Sequence, residues 1–118
     1  MKRTLTLAGL TALGALMTAG LAAAQDAKKE EGLALFSTRK CTTCHSIAGR
    51  GNKKGALDEV GSKLTAAQIK EWLVDPVAAA ARAKPAPTRK PAMKKTPLSA
   101  SDVDTLVALL TSLKKSVP

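Results

Sequence analysis

The chain predicts an all-α fold, and three observations carry that expectation. Thr65-Ala-Ala-Gln68 and Ser99-Ala-Ser-Asp102 each read as a capping box, with Leu64 and Ile69 as the staple of the first and Leu98 and Val103 as that of the second. Apolar residues recur at helical spacing after both signals, and no segment alternates apolar and polar residues as a half-buried strand would.

The first 24 residues form a separate unit. Lys2 and Arg3 precede a run of Leu, Ala, Gly and Thr that ends in Ala22-Ala23-Ala24, the order of a secretory signal peptide cut before Gln25. The alternative is a retained anchor, because about nineteen apolar residues just span a bilayer. Cleavage leaves residues 25–118 as the working domain and an exported, periplasmic protein. Within it, residues 27 to 40 read as a helix with Leu33, Phe36 and Leu35 on its apolar side. Gly32 stands one turn before Phe36, where a missing side chain lets a second helix approach.

From His45 to Lys63, glycines and charged residues predict an irregular loop with a helical turn near Leu57 to Val60. The Thr65 box opens a helix over about 66 to 75 that turns Ile69, Trp72 and Leu73 inward and stops before Pro76. Residues 76 to 97 hold five prolines and six Lys or Arg residues. The alanines at 78 to 81 allow one helical turn there, and the rest is loop. The last helix, about 100 to 115, carries Val103, Leu106, Val107, Leu110 and Leu113, and Lys114 and Lys115 sit at its negative end. A loop of about twenty residues between two well-signalled helices is more often functional than idle.

Composition sets two bounds. Of 118 residues, 94 remain after the first 24 are removed, and they include one Phe, one Trp and no Tyr. Such a chain builds a thin core unless something from outside fills its centre. The formal charge of +10 falls to +8 without Lys2 and Arg3, which favours acidic partners. Export and the scarcity of aromatic residues for base stacking argue against nucleic acid.

The chemistry is concentrated at Cys41-Thr42-Thr43-Cys44-His45, which holds both cysteines and the single histidine. A dithiol redox site usually comes with a βαβ context, and no strands are predicted. It would make the chain a dithiol oxidoreductase. A structural zinc site needs four protein ligands, and three are present. A structural disulfide across so short a loop is strained. The fourth use is covalent haem attachment, the usual meaning of C-x-x-C-H. Two thiols three positions apart add to the two vinyl groups on one porphyrin edge, and the next imidazole meets the iron. For the other face the candidates are Met93, the one methionine after residue 24, and a deprotonated Lys90, Lys94 or Lys95. A thioether raises the potential relative to a second His.

Taken together, these residues resemble the small mono-haem class I c-type cytochromes, over essentially all of residues 25 to 118. Gly32 and Phe36 match the first-helix pair that crosses the last helix, with Leu106 and Leu109 as its counterparts. Cys41, Cys44 and His45 match the attachment motif, and Glu71-Trp72-Leu73 with Asp75-Pro76 matches the end of the third helix. The resemblance implies three main helices packed around one covalently attached haem c. It implies His45 as proximal and Met93 as distal iron ligand, with Trp72, Phe36 and Leu57 packed on the haem. The implied function is electron carriage between redox partners with acidic docking surfaces, by a monomer or weakly associated protein that is not an enzyme. No membrane contact is expected after cleavage.

Two positions depart from the family pattern. Its Gly-Pro-Leu reads Gly55-Ala56-Leu57, where the carbonyl of Ala56 is expected to accept the hydrogen bond from His45. Lys94, not Pro, follows Met93. A haem sensor or catalyst with an open distal site and a fixed subunit of a larger complex remain alternatives.

Overall fold

A computed structural model describes residues 12–116, with side chains from Gly20 onward. Residues 1 to 11 of the expected signal segment lie outside the described residues. The architecture is helical: α1 Ala12–Thr38, α2 Val60–Lys63, α3 Ala66–Val74, α4 Pro76–Arg82 and α5 Ala100–Ser112. Helix α1 starts earlier than expected and runs unbroken through Ala22–Ala24. It leaves every residue from Gly20 to Glu31 exposed. Among the described residues no helix is long and apolar enough to cross a membrane.

The two boxes form as the sequence implies. Thr65 Oγ1 accepts from the Gln68 N–H at 3.2 Å while Gln68 Oε1 accepts from the Thr65 N–H at 2.9 Å. Ser99 and Asp102 make the same reciprocal pair. Helix α5 stops at Ser112, short of the expected residue 115, because the chain turns back on α2. The Gly61 N–H donates to the Leu113 carbonyl at 2.8 Å, and Lys114 Nζ donates to the Gly61 carbonyl. The expected single turn at the alanines is a full helix, α4. Asp75 ends α3 and caps α4 by accepting from the Ala78 N–H at 3.0 Å. Pro76 occupies the first position of α4, where its missing N–H costs nothing.

The core lies where α1 and α3 meet α5. Phe36, Ile69, Leu73, Val103, Leu106, Leu109 and Leu110 are buried there. Gly32 lets α1 lie directly on α5, since a Cβ at this position would stand 2.9 Å from Leu109 Cβ. At the C-terminal end of α1, Arg39 Nη2 meets Asp102 Oδ2 at 2.6 Å and ties it to the start of α5. Lys40 adopts φ 59°, the left-handed turn by which the chain leaves α1. No strand was expected, yet Ser46–Ile47 (β1) and Arg50–Gly51 (β2) pair antiparallel, Ser46 opposite Gly51 and Ile47 opposite Arg50. Two-residue strands are too short to show a period.

Gly32→Val forces Leu109 and the helix crossing apart. It is expected to lower stability by about 1–3 kcal/mol, read as a fall in the urea midpoint. The Asp102 carboxyl is raised by desolvation but held below its ordinary range by the Ser99 N–H and by Arg39. A carboxyl whose folded pKa is lowered stabilises the fold above its unfolded pKa, and that contribution disappears as pH falls through the folded value. Urea titrations of Asp102→Ala and the parent should therefore differ at neutral pH and converge in strong acid.

Candidate functional site

The site begins where α1 ends. After the left-handed Lys40, the chain makes a 3₁₀ turn over Cys41–Thr43, so that the amides of Cys44 and His45 both donate to the Cys41 carbonyl, at 3.2 and 2.9 Å. This coil turns Cys41, Cys44 and His45 toward one cavity of about 840 Å³. Both cysteines are free thiols. Burial pushes the Cys41 thiol up, against a smaller opposing effect of its hydrogen bond with the backbone.

A loop folds back beneath this turn and fixes it. The Asn52 N–H donates to the carbonyls of Thr42 and His45, each at 3.0 Å. Its side chain donates to the Thr43 carbonyl at 3.2 Å and accepts from the Lys54 N–H at 3.1 Å. Gly51, at φ 108°, brings Asn52 there; a Cβ on it would collide with the His45 carbonyl. A second 3₁₀ turn, Lys53–Gly55, then carries a carbonyl to the imidazole.

That carbonyl belongs to Gly55, 3.0 Å from His45 Nδ1, and not to Ala56 as the sequence suggested. The reason is the direction of one peptide plane. The Leu57 N–H donates to the Ser46 carbonyl at 2.9 Å. In a planar trans peptide the Ala56 oxygen must then point the opposite way. Since a carbonyl only accepts, Nδ1 carries the proton and Nε2 keeps a lone pair. Burial lowers the pKa of His45, the Gly55 bond acts upward, and the charge of Arg89 lowers it again, for a net downward shift. The imidazole is thus held neutral, in the tautomer that a metal ligand requires.

The remaining candidates converge on the same cavity. Phe36, Leu57 and Trp72 line it, Phe36 buried and the other two half-buried. Met93 reaches it from the long loop between α4 and α5, with 37% of its surface exposed. Lys90 and Lys94 line it as well, whereas Lys95 does not. Arg39, Lys40 and Arg89 join them at the rim, and among the described residues no carboxylate lines the cavity. Sequence reasoning missed Asn52, Gly55 and Arg89. The first two work through backbone geometry, and the third stands in a proline-rich stretch that gives no periodic signal.

A family model described as cytochrome c matches residues 29–114. The chain belongs to the cytochrome c family. No curated protein and no solved structure matches it. Cytochromes c bind haem c covalently and transfer electrons, and the observed site suits that group. A largely apolar cavity in the usual ligand range of about 300–1,000 Å³ opens beside two free thiols and an imidazole with a free Nε2. It also accounts for the thin core of this cytochrome, whose apolar residues surround a space they do not fill.

Asn52→Ala removes both side-chain bonds that hold the attachment turn. The holoprotein should lose about 1–2 kcal/mol, seen as a lower denaturant midpoint with haem still attached.

Proposed function

We propose that this cytochrome c is an exported electron carrier. Cys41 and Cys44 anchor the haem, His45 is the proximal iron ligand and Met93 the distal one. The bound haem supplies a one-electron ferric/ferrous couple. The protein supplies everything around it: Gly55 and Asn52 orient the proximal ligand, Phe36, Leu57 and Trp72 exclude water, and the Met93 thioether favours the reduced form. The observation that carries the reading is the meeting of His45 and Met93 at one cavity, although three helices, α2, α3 and α4, separate them in the chain.

Export rests on the order of Lys2-Arg3, an apolar run and Ala22-Ala23-Ala24. The exposure of Gly20 to Glu31 supports it further, since the chain around the expected cut before Gln25 takes no part in the core. The cationic rim formed by Arg39, Lys40, Arg89, Lys90 and Lys94 suits brief, salt-sensitive docking of acidic redox proteins at the haem edge.

The test is the absorption spectrum of the protein exported in a host that attaches haem c. Sharp reduced α and β bands and a weak far-red ferric band from sulfur ligation are expected, and Met93→Ala should abolish the far-red band alone. Haem without that band in the parent would overturn Met93 as ligand and favour an open distal site. A colourless protein with two alkylatable thiols would overturn the whole reading.

A further inference from the structure

Beyond its place among the cations of the cavity, Arg89 stands against Gly55, whose carbonyl holds the proximal ligand. The Cβ that Gly55 lacks would overlap Arg89 Nη1 and crowd its Cζ, so the guanidinium occupies the room left by the missing side chain. The same Gly55 holds His45 Nδ1 through its carbonyl. Arg89 makes no salt bridge or side-chain hydrogen bond among the described residues, unlike Arg39 with Asp102 and Arg82 with Glu71. It lines a cavity that contains no carboxylate. A cation therefore stands uncompensated beside the proximal imidazole, in a position that the glycine makes available.

The physical consequence is electrostatic. Taking up one electron from a redox partner lowers the net positive charge of the site by one. A fixed positive charge nearby repels the oxidised form more than the reduced form and so raises the potential. Arg89 is exposed, so salt screens part of this effect, while its contact with Gly55 keeps the charge beside the imidazole.

We propose that Arg89 is a positioning residue for the proximal side, seated against Gly55 so that its fixed charge raises the reduction potential of the His45-ligated haem. The inference rests on His45 being the proximal ligand, and it makes the long loop between α4 and α5 contribute to both faces of the site, Met93 on one and Arg89 on the other.

The experiment compares the equilibrium reduction potentials of the parent holoprotein, Arg89→Gln and Arg89→Lys at neutral pH and at two salt concentrations. Reduced α bands and denaturant midpoints are recorded for each. Arg89→Gln should lower the potential by an amount equal to about a tenfold change in the ratio of reduced to oxidised protein, about 59 mV for a one-electron couple. Arg89→Lys should recover part of the loss, the difference should shrink as salt rises because Arg89 is exposed, and the bands and midpoints should stay put. An unchanged potential in Arg89→Gln overturns the proposal. Equal falls in Gln and Lys do so too, because they would assign the effect to shape and not to charge. If resonance Raman of the reduced parent shows no histidine on the iron, the proximal ligation has failed, an outcome separate from any potential shift, and the proposal falls with it.

Discussion

The contact of α1 with α5 at Gly32 and Leu109 is the constraint from which the rest of the molecule follows. With no side chain on Gly32, the two helices lie close enough for Phe36 to reach Leu106 and Leu110, and α3 closes the third side with Ile69 and Leu73. The crossing fixes where α1 ends, and the end of α1 fixes where Cys41, Cys44 and His45 begin. The Arg39–Asp102 pair sits at that junction, two residues before the motif. A shift of α1 along α5 would therefore be a shift of the proximal ligand relative to α3 and α5. Packing and ligand placement are one problem here, because both are set by a single helix pair.

Much of this was legible in the sequence wherever the determinant was local. Helices α3 and α5 begin where their capping boxes say, since the box is made of residues three positions apart. A close helix approach at Gly32 was legible from a glycine on an otherwise apolar face, and the family resemblance named the last helix as the partner. What escaped were features decided by contacts distant in sequence or by peptide orientation. Asp75-Pro76 reads as a stop signal for α3, and it is also the cap and first residue of α4. The Gly55 and Ala56 carbonyls differ by one residue in the sequence, and only the hydrogen bond from Leu57 to Ser46 tells which faces the imidazole. The small β1–β2 hairpin exists because Asn52 must return to Thr42 and His45, and two residues per strand leave no trace in a periodicity.

The site divides its labour between two kinds of chain. The attachment turn and the Asn52 loop are rigid and rich in backbone hydrogen bonds, so the histidine has one tautomer and one orientation before any metal is present. The segment from residue 83 to Ser99 has no helix or strand, is mostly exposed, and brings Lys90, Met93 and Lys94 to the cavity and Arg89 against Gly55. Nothing in that segment resembles a core, and its prolines limit its freedom without giving it backbone bonds of its own. A ligand delivered by such a loop is held by the group it binds as much as it holds that group. In this chain the cofactor would thus act as the missing core residue between the two walls.

Charge belongs to the same argument. A cavity with five cations and no carboxylate among its described lining residues is unfavourable to close around nothing, because like charges gather without a counter-charge. A haem brings two propionates and a large apolar surface, so it relieves both the electrostatic imbalance and the exposure of Leu57, Trp72 and their neighbours. What is left of the positive potential then faces outward, where it can attract an acidic partner, and inward, where Arg89 lies nearest to His45. The cations gathered at this cavity would in this way act both on the bound group and on whatever docks outside it.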